Sequence, residues 1–316
     1  MTYYKTAAHE LSITNLEEKT MNAKERYFWD LNGHLVIPNV LTPEEVKAAN
    51  DALDYLADRC ANGTDEEADF LRETAQPRWD GDTLVRTRNN APFLLKLKSP
   101  YCDPFRKMIV HAQIVSRLQV MCGKGFRLDH GPQFIGGLKG TPRHALHGAG
   151  EPHRPYVAYH NQNGHTHVGG VTVTYNLADA GPDDGGFACV PGSHKSRYPM
   201  PDGVRTMEND MGVVAKPNVK AGDVLFFMDG AQTHGARPWM ADHGRRAILI
   251  KYASRTVTRQ GASLDCLQPE KYWDIDIVDG MTPEQRAVMY GPASAPRTSD
   301  LKLNIDEKGN VYVDNA

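Results

Sequence analysis

The sequence predicts a mainly β protein, a jelly roll of two sheets with helices against it, and three observations carry that prediction. From Gly123 onward the chain breaks into short alternating apolar and polar segments punctuated by Gly, Pro and Asp, as strands joined by turns require. Before Gly123, two stretches repeat apolar residues at helical spacing. At 316 residues and 40% hydrophobic content, the chain is long enough for one large core with a helical annex.

Residues 1–24 are polar and mixed, and are expected to form an arm or lid over a single domain at 25–316. His34, Leu35, Val36 and Ile37 read as a short strand stopped by Pro38. Thr42-Pro43-Glu44-Glu45 supplies an N-cap, a proline at the first helical position and two acids at the positive end of the dipole. Val46, Ala49, Leu53 and Leu56 then give a helix an apolar side that braces a sheet. Residues 103–122, with Ile109, Ile114, Leu118 and Met121, read as a second helix. Strands are expected at 126–128, 168–177, 186–190, 213–219, 223–228 and 246–254. Thr282-Pro283-Glu284-Gln285 opens a late helix, and 301–313 reads as an edge strand pair.

A formal charge of −3 offers no field for a nucleic acid polymer or an anionic membrane. The five cysteines are far apart with no CxxC spacing, which argues against a disulfide framework or zinc site and suits a reducing cytoplasm. No signal-like start and no apolar run of bilayer length are present, so a cytoplasmic, non-membrane protein is expected.

The candidate chemistry begins at 221–230, a turn, a buried strand and a second turn that deliver His234. Eleven residues later Arg245 opens a strand in which Ala247, Leu249 and Lys251 alternate on one side. Neighbouring antiparallel strands of a jelly roll can point His234 and Arg245 into one cavity, the first as a metal ligand and the second as a bidentate grip on a carboxylate. Gly185 to Lys195 reads as a strand ending in a Pro-Gly turn, with His194 shaping a loop beside Lys195 rather than binding a cation.

These blocks, with the run Asn32 to Glu45, resemble the phytanoyl-CoA dioxygenase family of Fe(II)/2-oxoglutarate enzymes, over most of the chain from about Asn32 onward. The resemblance implies a double-stranded β-helix of the cupin-like kind, with Fe(II) at its mouth and 2-oxoglutarate and O2 as cosubstrates. It implies His234 as the distal metal ligand and Arg245 as the partner of the far carboxylate of 2-oxoglutarate. Thr172 and Thr174 are candidates for further cosubstrate contacts, and Arg246 should point the other way on a regular strand. The proximal ligand is expected at His147, in a Leu146-His147-Gly148 segment that resembles one branch of the family, with His144 as its rival.

The family pattern places an acid two residues after the proximal histidine, yet none of the thirteen histidines here has one. Ala149 stands two residues after His147, and Leu146 two after His144. Relatives with Ala or Gly at this place are radical halogenases, so the resemblance implies that chloride, or bromide, takes the open position at Ala149 and that an unactivated C–H is chlorinated. A second reading is a hydroxylase whose carboxylate comes from Glu151, Asp129, Asp183 or Asp184; a third is a jelly roll that binds metal or ligand without turnover. Arg143, His144, His153 and Arg154, with Lys139, concentrate positive charge beside the site and suit a small anionic substrate, while Tyr156, Tyr159 and Trp239 offer flat apolar surface. The family implies a deoxynucleotide as the first specific candidate.

Overall fold

The structure is a computed structural model and describes residues 21–88, 92–148, 158–163, 165–196, 198–257, 263–294 and 302–314. The strands are β1 (His34–Ile37), β2 (Arg78–Asp80), β3 (Thr83–Arg86), β4 (Arg127–Gly137), β5 (His144–His147), β6 (Tyr159–Gln162) and β7 (His165–Val168). They continue with β8 (Gly170–Asn176), β9 (Gly186–Cys189), β10 (Val224–Met228), β11 (His234–Arg237), β12 (Arg245–Ala253), β13 (Lys302–Ile305) and β14 (Val311–Asp314). Seven form a sheet in the order β1-β10-β8-β12-β4-β3-β2, and β5-β11-β9 form a smaller one, with antiparallel pairing throughout. The sheets meet through Phe187 of β9 and Phe227 of β10, ring centroids 4.8 Å apart. This is the double-stranded β-helix expected from the sequence.

Period-2 alternation decides what each face of the large sheet does. Val171, Val173 and Tyr175 of β8, Val224, Phe226 and Met228 of β10, and Ile248, Ile250 and Tyr252 of β12 all join the main apolar core. That core lies between the sheet and helices α1 (Ala23–Asn32), α2 (Pro43–Asn62), α3 (Glu66–Ala75), α4 (Asp103–Met108) and α5 (Ala112–Met121), whose buried residues include Leu53, Leu56, Phe105 and Leu118. The opposite face is more polar, with Thr172, Thr174, Asn176 and Lys251 turned inward between the sheets. Most of the apolar packing therefore lies outside the barrel, while Val219, Leu225 and Phe227 form a smaller apolar cluster inside it.

Helix α2 begins as expected, with a complete capping box between Thr42 and Glu45. The single helix expected at 103–122 is two helices. The carbonyls of Met108 and Ile109, at the break, accept the hydroxyls of Tyr175 (2.7 Å) and Tyr252 (2.9 Å) from the sheet. A tertiary partner thus satisfies backbone groups that helical hydrogen bonds would otherwise take. Segment 213–219 is not a strand; it makes two isolated bridges, Ala215 with Cys189 of β9 and Val219 with Ala180 in the loop after β8, and Pro217 withholds a donor between them.

Strand β4 is far longer than the expected 126–128 because Gly131-Pro132 is a bulge and not a turn. His130 pairs with Lys251 and Gln133 with Leu249, so two residues of β4 stand opposite Ile250. A Cβ on Gly131 would lie 2.2 Å from Pro92, so the close approach of that chain requires glycine there. Helices α1 and α3 and the β2–β3 hairpin were not anticipated. The late helix is short, Pro283–Ala287, with its capping box intact, and β13 and β14 pair with each other. All five cysteines are free, and no helix among the described residues is long and apolar enough to cross a membrane.

Candidate active site

Strand β11 lies between β5 and β9, and its first residue, His234, stands opposite His147 of β5. The two ring centroids are 4.3 Å apart. The Nδ1 of His234 lies 2.8 Å from the Gln232 carbonyl, and the Nδ1 of His147 lies 3.1 Å from the Ala145 carbonyl. A carbonyl only accepts, so each ring donates a hydrogen from Nδ1, which leaves Nε2 as the nitrogen not engaged by the backbone. Burial, reinforced by the neighbouring His147 and only partly offset by Asp229, pushes the His234 pKa down to about 4. At neutral pH His234 is therefore the uncharged donor that a metal requires. His144 lies one turn of the pattern away, exposed, its ring 4.9 Å from that of His147. The choice between His147 and His144 as the residue facing His234 is made by strand register, and it falls on His147.

Gly148 fixes the back of this pair. It has φ +100°, and a Cβ there would lie 2.4 Å from the Gln232 oxygen, the same carbonyl that orients His234. Phe227 packs against the His234 ring at 4.6 Å between centroids.

Both histidines open onto a cavity of about 490 Å³ between the sheets. Arg245 projects into it from β12, beside Gly186, where the left-handed φ of +78° favours glycine and a Cβ would crowd the Trp239 ring at 3.3 Å. Enclosed by protein yet open to the cavity, its guanidinium has neither a hydrogen bond nor an ion pair among the described residues. Burial, aided by the charge of Arg86, lowers its pKa to about 10, so it stays charged at neutral pH. Thr174 lines the cavity, whereas Thr172 lies deeper, its buried Oγ1 without a partner. Arg246 points away, to Asp54 at 2.8 Å, as the alternation requires.

An ion pair in the cavity wall was missed by sequence reasoning. Lys251 Nζ contacts both oxygens of Asp229, at 3.0 and 3.2 Å. Burial tends to raise the Asp229 pKa, but Lys251, His234 and His130 outweigh it and hold the carboxyl down at about 2. The available signals were the place of Asp229 five residues before His234 and that of Lys251 six after Arg245, on the same face.

Of the remaining expected residues, Arg143 lies at the cavity rim in a 2.7 Å ion pair with Glu208, beside His144. Ala149, His153, Arg154, Glu151 and Tyr156 lie outside the described residues. Asp129 is engaged by Arg127 at 2.9 Å, Asp184 accepts the Gly181 N–H at 2.7 Å, and Asp183 is exposed. Trp239 lines the cavity and donates to the His243 carbonyl; Tyr159 instead donates to Asp30. His194 lies in a single 3-10 turn (Ser193–Lys195), its Nε2 donating to the Asp30 carbonyl at 2.9 Å. Among the described residues no third His, Cys, Asp or Glu joins His147 and His234 in a group that could hold a metal.

Solved structures share this architecture. HygX from Streptomyces hygroscopicus with nickel and 2-oxoglutarate bound is 21% identical, with TM-score 0.57, over 74% of this chain and 88% of its own. EctD from S. alaskensis, in its apoform, is 16% identical (TM-score 0.55, 76% and 79% covered). The non-heme alpha-ketoglutarate-dependent carbocyclase SnoK from nogalamycin biosynthesis is 17% identical (TM-score 0.52, 76% and 86% covered). No curated protein matches the chain. The phytanoyl-CoA dioxygenase (PhyH) family matches residues 29–247, well over half of the sequence and every strand from β1 to β11. That match agrees with the fold, and the chain belongs to the phytanoyl-CoA dioxygenase family of Fe(II)/2-oxoglutarate-dependent oxygenases.

Proposed function

We propose that the protein is an Fe(II)- and 2-oxoglutarate-dependent radical halogenase that chlorinates, or brominates, an unactivated C–H of a small anionic molecule. The carrying observation is the pairing of His147 and His234, two imidazoles with ring centroids 4.3 Å apart and each Nδ1 turned to a backbone carbonyl, in one cavity with an uncompensated Arg245 and no described acid to complete a triad. Two imidazoles suit Fe(II), and a lone buried guanidinium suits the far carboxylate of 2-oxoglutarate. HygX, solved with nickel and 2-oxoglutarate, supports that cofactor pair for the fold.

When bound, iron, 2-oxoglutarate and O2 supply the removal of a hydrogen atom from carbon, and halide replaces it. His147 and His234 hold the metal, each oriented by the carbonyl behind it. Arg245 and Thr174 fix the cosubstrate, and Phe227 shields the His234 side from water. Ala149 follows the proximal histidine with a methyl group where the family carries an acid, leaving a coordination position for halide. Arg143, His144, His153 and Arg154 favour an anionic substrate, and a deoxynucleotide is the first to test.

The test is anaerobic loading with Fe(II) and 2-oxoglutarate, then oxygen with and without chloride or bromide, with product masses read across a panel of anionic metabolites. Halogenated product that depends on halide supports the proposal. Hydroxylated product alone, at saturating halide, transfers the assignment to a hydroxylase with a carboxylate from elsewhere, Glu151 first. Absence of succinate in the presence of every candidate substrate transfers it to a binding protein.

A further inference from the structure

Strands β6 and β7 form a two-stranded sheet of their own, apart from the two sheets that enclose the cavity. Their register pairs Tyr159 with Val168, His160 with His167, Asn161 with Thr166 and Gln162 with His165. Side chains alternate between the faces of a strand, so Tyr159, Asn161, Thr166 and Val168 share one face, and His160, Gln162 and His167 the other. The first face is anchored. Val168 belongs to the main core, Tyr159 donates to Asp30 of α1, and Asn161 Nδ2 donates to Thr166 Oγ1 at 3.2 Å. The second face is open: His160, Gln162 and His167 are exposed, and with Asn163 they line a hollow in the surface.

The fold gives the two histidine rings no polar partner. Neither has a hydrogen bond or an ion pair among the described residues, and their centroids stand 6.4 Å apart with planes 28° from parallel. Partial burial, with the neighbouring His160, lowers the His167 pKa, so near neutral pH that ring is uncharged and has a lone pair to offer. Two imidazoles on direct cross-strand partners can chelate one ion. With metal–nitrogen bonds of about 2.1 Å, rings that share an ion stand about 5 to 6 Å apart between centroids. Rotation about the side-chain bonds of two exposed histidines closes the small remaining distance. Gln162, two residues from His160 on the same face, brings a side-chain oxygen to the same hollow. No third His, Cys, Asp or Glu joins them among the described residues, so water completes the shell and the ion exchanges freely.

We infer that His160 and His167 form a second metal site, a cross-strand chelate for a late first-row divalent cation such as Ni(II), Cu(II) or Zn(II), on the outer face of the β6–β7 hairpin. Imidazole nitrogens with an amide oxygen suit those ions, and affinity rises toward the end of the row. The inference stands apart from the iron site, because none of these residues lines the cavity between the sheets. An ion shared by β6 and β7 ties the two strands together and stabilises the hairpin by mass action.

Untagged, metal-free protein is titrated anaerobically with Ni(II) by calorimetry, with and without 2-oxoglutarate. Wild type is expected to take up two equivalents, one tightened by 2-oxoglutarate and one indifferent to it. His160→Ala and His167→Ala should each weaken the indifferent equivalent by more than about ten-fold, because a chelate is cut to a single bond. Both variants should keep the other equivalent and the circular dichroism of wild type, as exposed positions allow. His147→Ala should do the reverse. The inference is overturned if no equivalent responds to the two hairpin substitutions, or if one is lost in only one of them. Absence of the equivalent that 2-oxoglutarate tightens would instead count against the iron site, and leaves the hairpin equivalent to be read by itself.

Discussion

His147 and His234 face each other across adjacent strands, rings 4.3 Å apart, and each donates its Nδ1 hydrogen to the carbonyl two residues before it. The two halves of the pair are locked in the same way, so both Nε2 atoms are presented without a change of tautomer. His147→Ala and His234→Ala should each lower Ni(II) or Co(II) affinity by more than about 100-fold, beyond what outer-shell changes bring. His144→Ala should change it only a few-fold. Anaerobic calorimetry of the three variants decides the assignment, and a larger loss in the His144 variant would move the proximal position there.

Gly148→Ala should damage His234 from across the strand pair. The new methyl would press on the Gln232 carbonyl at 2.4 Å, and the left-handed backbone adds strain of about 1 kcal/mol or more. Metal affinity is expected to fall by roughly ten-fold or more through the displaced carbonyl. Unchanged metal affinity in a folded Gly148→Ala protein would show that the carbonyl does not position the ring.

Metal-free protein should lose stability as acid is added, starting near pH 6.5. The folded-state pKa of His234 is lowered to about 4, so the unfolded chain takes up this proton first, and its contribution is complete above pH 6.5 and lost on descending to about 4. The loss from this residue is up to about 3 kcal/mol. Asp229, held at about 2, contributes above its ordinary value of 3.8 and loses that contribution between 3.8 and 2. Urea unfolding at pH 7 and pH 5 should show a smaller difference in His234→Gln than in wild type. Equal differences would place the neutral histidine elsewhere.

Breaking the Asp229–Lys251 pair should cost more than removing it. Asp229→Asn or Lys251→Met leaves one charge enclosed without its partner and should destabilise by roughly 3 kcal/mol. The double variant should recover much of that loss, because neither charge remains. Thermal unfolding of the four proteins gives the coupling, and strictly additive losses would mean the pair is not energetically linked.

Ala149→Asp should restore a two-histidine, one-carboxylate centre and abolish halogenation, with hydroxylated product in its place. Product masses in saturating chloride provide the readout. Undiminished halogenation in this variant would mean that the residue two places after His147 does not border the halide position.

Much of the architecture was legible because its signals are local. The capping box at Thr42, the buried run from Val224 to Met228 and the alternation of Arg245, Leu249 and Lys251 depend on spacing and side-chain type, and each appears where the chain put it. The length of β4 beyond residue 128 was not legible, because Gly131-Pro132 can serve a turn or a bulge and only the approach of Pro92 distinguishes them. The split at Met108 and Ile109 was equally invisible, since its cause is two tyrosine hydroxyls from strands far along the chain.

By itself the sequence determined the β-helix class, the nomination of His234 and Arg245 as candidates for one site, and the absence of an acid two residues after any histidine. Tertiary structure alone decided which upstream histidine faces His234, that Asp229 is bound by Lys251, and that Arg78 and Arg86 reach the cavity. The physical reason is range. Periodicity and capping are set by neighbours a few residues apart, whereas strand register and the meeting of charges are fixed by packing among segments tens of residues distant in sequence.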